Sequence, residues 1–530
     1  MSNPTLRLCV PRLASPITAL WLTTLWLLFA ASALMAQEAI EPLAAPFTME
    51  QLTRPSIPEQ QFNIRDYGAE EMDGPDGPRI TEAVRDAIAA ATEAGGGTVV
   101  IPAGNWLSGP IHLHSNINLH VQRNAEVFFT TDPEDYLPVV HQRHEGVEAY
   151  NYSPMIYVSH AVDVAITGEG TLNGQGKPWW DWFEQYGAPP RVLAARVPLA
   201  QRIFGKGSGM EGMRPSFVMF WKSRNILVEG VRLVDGPMWN LHLVYSENII
   251  VRRTRIESLK APNGDGIVID SSRNVLLEHN DVQTLSDALV MKSGLNEDGL
   301  HINRPTENVV VRHFALRNVS NTGVAIGSET SGGIRNVYIH DGLFDGSGRG
   351  VGVRTERGRG NVVENIWVRN ITMRNLTHDG FSINTFFTGR SATGPAPLVR
   401  NVHVSNVSID RVPTAISLVG LPEKWLENIT LENVKVTNAE MGSQMTRVKD
   451  LTLQDVSIRS QSLALQATDV YELNLQQVSL QDRVPGGALR LEGRYTGAIY
   501  VDESLPLDEI QFDRDVSPSV INPEASEQAW

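Results

Sequence analysis

Cysteine is almost absent: the 530 residues hold one, Cys9. It precedes the only long apolar run, so a chain trimmed after that run has none, which excludes a disulfide framework and thiolate metal sites. Basic runs are missing as well. Acidic residues outnumber Lys and Arg 60 to 45, a net charge of −15, and no Lys/Arg cluster or basic–aromatic stripe breaks that balance. Nucleic acid and anionic membrane surfaces are therefore disfavoured as partners. A polyanionic substrate stays compatible, because the charge of a cleft can oppose the average. Helical periodicity marks one clear stretch, Ile80 to Glu93, which stops at Gly95-Gly96-Gly97. No helical pattern joins the later segments, and no Trp-Asp signature recurs at the spacing of propeller blades.

Residues 1–36 read as a secretory signal, with Arg7 and Arg12 as the charged entry, an apolar run from Ile17 to Leu34, and small residues at Ala33 and Ala36. A retained membrane anchor is the alternative. Removal of the signal leaves 60 acidic against 43 basic residues, a net charge of −17. Residues 37–60, rich in Ala, Pro and Glu, read as a linker or arm. A folded domain is expected over 61–500, with an acidic, Pro-bearing tail over 501–530. An exported monomer, periplasmic or extracellular and without stable membrane insertion after signal removal, fits this order.

What is abundant is a repeat. A polar residue, then Asn, then Ile or Val opens a β-branched run at Asn225, Asn248, Asn274, Asn308, Asn336, Asn365, Asn401 and Asn428, and Asp450 takes the slot 22 residues later. Longer intervals contain inserts such as 295–305 and 389–397. A base period in the low twenties with Gly/Asn corners is the signature of a solenoid, and an all-β, right-handed parallel β-helix fits it best. The asparagines then stack into a structural ladder, and the helix from Ile80 covers the open end.

Within the repeat, Asp265 and Asp287 each precede a short apolar run and lie 22 residues apart. One turn of coil between them stacks the carboxylates on neighbouring strands, about 5 Å apart. The same alignment places Asp270 beside Lys292 as a compensating ion pair. The expected geometry is two acidic tips converging over an open groove that suits an extended polysaccharide. Trp179, Trp180 and Trp239 lie in or near inserts, where they either stack on sugar faces or pack the inserts onto the coil.

Five motifs carry a more specific likeness: Gly236-Pro-Met-Trp-Asn-Leu-His242, Asn263-Gly-Asp-Gly266, Asp287-Ala-Leu-Val-Met-Lys-Ser-Gly294, Arg304-Pro-Thr-Glu-Asn308 and Ile326-Gly-Ser-Glu-Thr-Ser-Gly-Gly333. With them the chain resembles glycoside hydrolase family 28, the polygalacturonase-like enzymes of the pectin-lyase-like solenoids, from about Phe62 to Lys449. The resemblance implies hydrolysis with inversion in pectin-like or other acidic polysaccharides, with no metal and no organic cofactor. It also implies three catalytic aspartates. Asp265 and Asp287 match two of them, and Ser286 stands where the usual general acid would be. The family histidine aligns with Asn321, and the Arg-Ile-Lys that grips a uronate aligns with Gly352-Val353-Arg354.

Serine is far too weak an acid to replace a carboxyl group. Asp265 and Asp287 are therefore expected to divide the acid and base roles, since two close carboxylates resist joint ionisation. Otherwise one of them acts with Glu297, Asp298 or Glu329. Asn263, His242, Ser286, Lys292, Asn321, Glu329, Arg354 and Trp239 are the expected substrate-binding set. A non-catalytic glycan-binding protein and, behind it, a polysaccharide lyase are the rival readings.

Overall fold

The computed structural model describes residues 39–74, 77–186, 197–205, 213–389, 393–481 and 488–523. The expected signal at 1–36 lies outside them. The chain divides into two units, 1–44 and 45–530. The described part of the first, 39–44, carries no helix or strand.

The second unit is a right-handed parallel β-helix in which 33 strands pair continuously. Short runs rich in Val, Ile and Leu favour extended backbone, and each run has a partner one coil later. The partner offset is 23 residues from Arg224 to Glu247, 26 from Glu247 to Arg273, 34 from Arg273 to Glu307 and 28 from Glu307 to Arg335. These are the intervals between the ladder asparagines. Inserts thus lengthen a coil without shifting its strands.

Side chains alternate across the strands. Ile267, Ile269, Leu289, Met291, Val324 and Ile326 fill the interior, while Val268, Val290 and Ala325 form a separate outer cluster with Met238 and Trp239. The helix Thr81–Glu93 buries Ala83, Val84, Ala87, Ile88 and Ala91 against the first coils and covers that end. Before it, residues 45–60 carry no helix or strand, and this arm runs along the coil. Arg54 pairs with Glu229 at 2.7 Å, and Phe47 lies 5.7 Å from Trp367, centroid to centroid.

At the other end the strands Leu489–Glu492, Gly497–Val501 and Ile510–Phe512 continue the parallel pairing. The coil therefore passes the boundary expected at residue 500. The asparagine marker has disappeared there, but Leu489, Leu491, Ile499 and Ile510 still fill the interior.

Two ladders hold the coils in line. Asn225 to Asn428, all at φ between 52° and 59°, each donate a side-chain N–H to the previous ladder residue at 2.9–3.1 Å, starting from Asp163. Asparagine tolerates this left-handed backbone better than most residues. A second ladder, unmarked in the sequence reading, joins Asp341, Asn370, Asn406 and Asn433. Beside the first runs a column of alternating charge in which Arg273 pairs with Glu247, Arg335 with Glu307 and Arg400 with Glu364.

Half-buried amide ladders outweigh exposed ion pairs, which contribute little in water. Asn336→Ala breaks a bond on each side and is expected to lower stability by about 2 kcal/mol. Arg335→Ala in the neighbouring charge column is expected to lower it by about 0.5 kcal/mol. Denaturant titration of both variants makes the comparison, and equal losses contradict the ranking.

Candidate active site

The site lies on the outer face of the strands Leu241–Val244, Ile267–Asp270, Leu289–Lys292, Thr322–Gly327 and Arg349–Arg354, which follow one another in register. Gly266 N–H donates to the Asp287 carbonyl at 2.9 Å, so Asp265 and Asp287 stand on successive coils. A Cβ on residue 266 would overlap the Ala288 carbonyl, which explains the glycine after Asp265.

The groove is not open above them. Asp265 is 2% exposed and Asp287 4%. Part of the cover is the antiparallel hairpin of Val140–His144 and Val147–Asn151, an element without a repeat signal. It is tied down by Arg143 to Asp270 at 2.7 Å, by the Gly146 carbonyl accepting from Leu295 N–H at 3.0 Å, and by Glu148 accepting from the Tyr245 hydroxyl at 2.8 Å. Glu145 in its turn accepts from the Asn263 side chain. Asp298, on the helix Asn296–Ile302, accepts from Glu148 N–H and pairs with Arg202 at 2.6 Å.

Asp287 is held by Thr322 N–H at 2.9 Å and by Arg354 at 2.5 Å. The Asp265 carboxyl is pushed up to about 6, first by burial and then by the charges of Asp287 and Glu329, while Lys292 and the Ser286 side chain pull it down. Lys292 does not form the expected pair with Asp270. The two are strand partners, but Lys292 turns to Glu329 at 2.8 Å and Asp265 at 3.7 Å. Arg143 has already claimed Asp270 and bonds Ser271 at 2.8 Å as well. Burial would raise the Asp270 carboxyl, but Arg143 and then His242 hold it below the usual carboxylate range.

Four carboxylates (Asp265, Asp270, Asp287, Glu329) thus meet three cations (Arg143, Lys292, Arg354), none of the seven more than 6% exposed. Glu145 and Arg214 add one charge of each sign nearby. A buried net charge is costly, so one carboxyl group retains a proton most readily, and Asp265 has no cation as close as those of the other three.

The remaining expected residues spread around this cluster. His242 is fully buried, edge-on to Trp239 at 4.7 Å, with Nε2 3.6 Å from Asp270; burial lowers its pKa and favours the neutral ring. Trp239 is buried beneath Lys292, whose Nζ lies 4.8 Å from the ring centroid. Ser286 is half-buried beside Asp265. Asn321 takes a 3.5 Å contact from Arg349, which also bonds Asp379. Of the three further carboxylates weighed, Glu329 reaches the cluster, Asp298 serves the roof and Glu297 is exposed.

Trp179 and Trp180 pack their insert onto the coil: both are buried, and Trp180 donates to the Gly236 carbonyl at 3.0 Å. Sequence reading missed Arg143, Glu145 and Thr322. It also missed the role of Arg214, which is buried under Phe183 and donates to the Pro237 and Pro262 carbonyls at 2.9 and 2.7 Å, fixing the approach to Asp265. Only the Asn-Gly-Asp stretch hints that something must hold that loop.

Comparison with known proteins agrees with this arrangement. Residues 204–458 match the model of "Glycosyl hydrolases family 28". A probable polygalacturonase of Vitis vinifera is 29% identical over 64% of this chain and 68% of its own length. An exopolygalacturonase of Thermotoga maritima is 32% identical, covers 80% of this chain and 94% of its own, and superposes with a TM-score of 0.70. A family 28 exopolygalacturonase of Yersinia enterocolitica, at 18% identity, 79% and 78% coverage and a TM-score of 0.62, shares the fold. Similarity of this extent, over a coil that gathers the matching motifs at one buried cluster, places the chain in glycosyl hydrolases family 28.

Proposed function

We propose that the protein is an exported, inverting glycoside hydrolase that removes sugars from the end of an acidic, pectin-like polysaccharide. The single observation that carries the catalytic part is the raised Asp265 carboxyl within hydrogen-bonding distance of no cation, one coil away from Asp287 on its Arg354 clamp. Inversion needs a proton donor at the leaving oxygen and a base for water on the other side of the ring. Asp265 gives its proton to the glycosidic oxygen as that bond breaks. Water forms the new bond to the anomeric carbon, and its proton passes to Asp287, which Thr322 N–H and Arg354 hold in place.

Arg354, the expected uronate-binding residue, is committed to Asp287 and acts by positioning it. Glu329 acts through Lys292 and through its repulsion of Asp265. Substrate brings further negative charge and strengthens the hold on the Asp265 proton.

The roof over the groove supports attack at chain ends, because a closed groove admits a terminus and excludes a continuous chain. The names of the Thermotoga and Yersinia relatives agree with that reading. Export rests on the 1–36 pattern, and among the described residues no helix is long and apolar enough to cross a membrane. One observation favours the rival, a glycan-binding protein without turnover: both aspartates are nearly closed off, and Ser286 replaces an acid.

Digestion of polygalacturonate, followed by reducing-end assay and chromatography, separates the readings. Monosaccharide is expected as the first product, with kcat about 10²- to 10⁴-fold lower in Asp265→Asn and in Asp287→Asn. Binding without product supports the rival, mixed oligomers contradict the end-on attack, and an ultraviolet-absorbing unsaturated product indicates a lyase. The pH profile carries a second expectation. A raised acid loses its proton, and the reaction its donor, as pH rises through the folded value. The alkaline limb of kcat should therefore fall with a midpoint near 6, and a profile flat to pH 8 contradicts Asp265 as the donor.

A further inference from the structure

The turns beside the catalytic strands hold a cleft of about 560 Å³ that the reaction does not use. Its walls come from three coils: Lys222 and Arg224, then Tyr245 and Glu247, and finally Arg304 at the end of the 295–305 insert. The volume is that of a small-ligand site. Its charge runs against that of the chain.

Glu247 is already bound by Arg273 at 2.5 Å, and Glu307, at the same opening, by Arg335 at 2.6 Å. Among the described residues, no carboxylate lies within ion-pair distance of Lys222, Arg224 or Arg304. Arg304 is half-buried, with one hydrogen bond, to the Tyr245 carbonyl at 2.8 Å. Its guanidinium is held below its ordinary pKa, first by burial and then by the charge of Arg273. Three cations therefore face one cleft with their counter-charge missing, on a chain whose net charge is −15.

Tyr245 connects this cleft with the reaction centre. Its ring centroid lies 5.4 Å from the Arg304 guanidinium, 5.8 Å from Lys222 Nζ and 4.9 Å from the Arg143 guanidinium that holds Asp270.

We propose that this cleft is a second carbohydrate site, which binds carboxylate-bearing sugars of an acidic oligosaccharide outside the catalytic groove. Two arginine forks and a lysine suit planar carboxylates, whereas a neutral sugar would leave the three cations unmatched. Local positive charge on an acidic protein also gives a polyanion a place to land, which the rest of the surface would repel. The choice of acidic sugar, rather than another anion, rests on the substrate class proposed above.

The test is calorimetric titration of full-length Asp265→Asn protein with trigalacturonate, with and without Lys222→Ala and Arg224→Ala. The two added substitutions lie on the exposed surface and should leave the thermal unfolding midpoint unchanged. One binding event is expected to weaken about tenfold in the triple variant, the combined effect of two charge contacts of roughly 0.7 kcal/mol each. The same event should be absent with the methyl-esterified trimer. Superimposable isotherms with and without the two substitutions overturn the proposal, and so does equal binding of the neutral trimer. Failure here stays distinct from failure of the catalytic reading. Wild-type hydrolysis of polygalacturonate without a Lys222-dependent event sinks only this site, and such an event without hydrolysis sinks only the reaction.

Discussion

Axial register is the constraint on which the molecule depends. Each strand hydrogen-bonds to the strand one coil before and one coil after, so a residue's neighbours are set by offsets of 22 to 36 residues. The left-handed asparagines keep those offsets in step through inserts of different length, because each amide must meet the one before it. A slip by one residue would send every interior Ile and Val to the surface. Asp265 over Asp287 is a consequence of the same lock, and so is Lys292 between Asp265 and Glu329.

Once register brings the carboxylates together, the roof decides their chemistry. In an open groove, water would screen four acids and three bases, and the imbalance would matter little. Under the 140–151 hairpin the same charges are almost dry, and a surplus negative charge is expensive. Arg143 and Arg354 each lie close to one carboxylate, and Lys292 sits nearest Glu329. Asp265 is left with the most distant cation. A serine at position 286 then has a physical reading. A fourth carboxyl beside Asp265 would add repulsion to a cluster already in surplus, whereas a hydroxyl stabilises its neighbour without charge.

The repeat, its period and the two stacked aspartates were legible in the sequence because they are periodic. A motif that returns every coil reports its own neighbours. The helix at 81–93 was legible for a similar reason, its apolar face and its glycine stop. Side-chain partners set by non-repeating segments were not. Arg143 stands 127 positions before Asp270, in a hairpin without periodic signal. Nothing in the local sequence says that it, and not Lys292, neutralises that acid. Arg214 and Glu145 reach the Asp265 loop from equally distant segments. Trp179 and Trp239 have the composition of sugar platforms but the burial of core residues, a distinction that composition cannot carry. The end of the coil was misplaced because its asparagine marker stops before its interior leucines do.

Both the roof and the basic cleft meet at Tyr245, which bonds the hairpin through Glu148 and takes Arg143 and Arg304 near its ring. Substrate capture and proton retention therefore share one wall of the coil. The account stands or falls on where the surplus proton resides. Infrared titration of the carboxylic-acid carbonyl band, in wild type and in Asp265→Asn, measures that directly. A band that disappears with a midpoint near pH 6 in wild type and is missing from the variant is the predicted result. Loss of the band near pH 4, the ordinary carboxylate range, or its persistence in the variant would contradict the account.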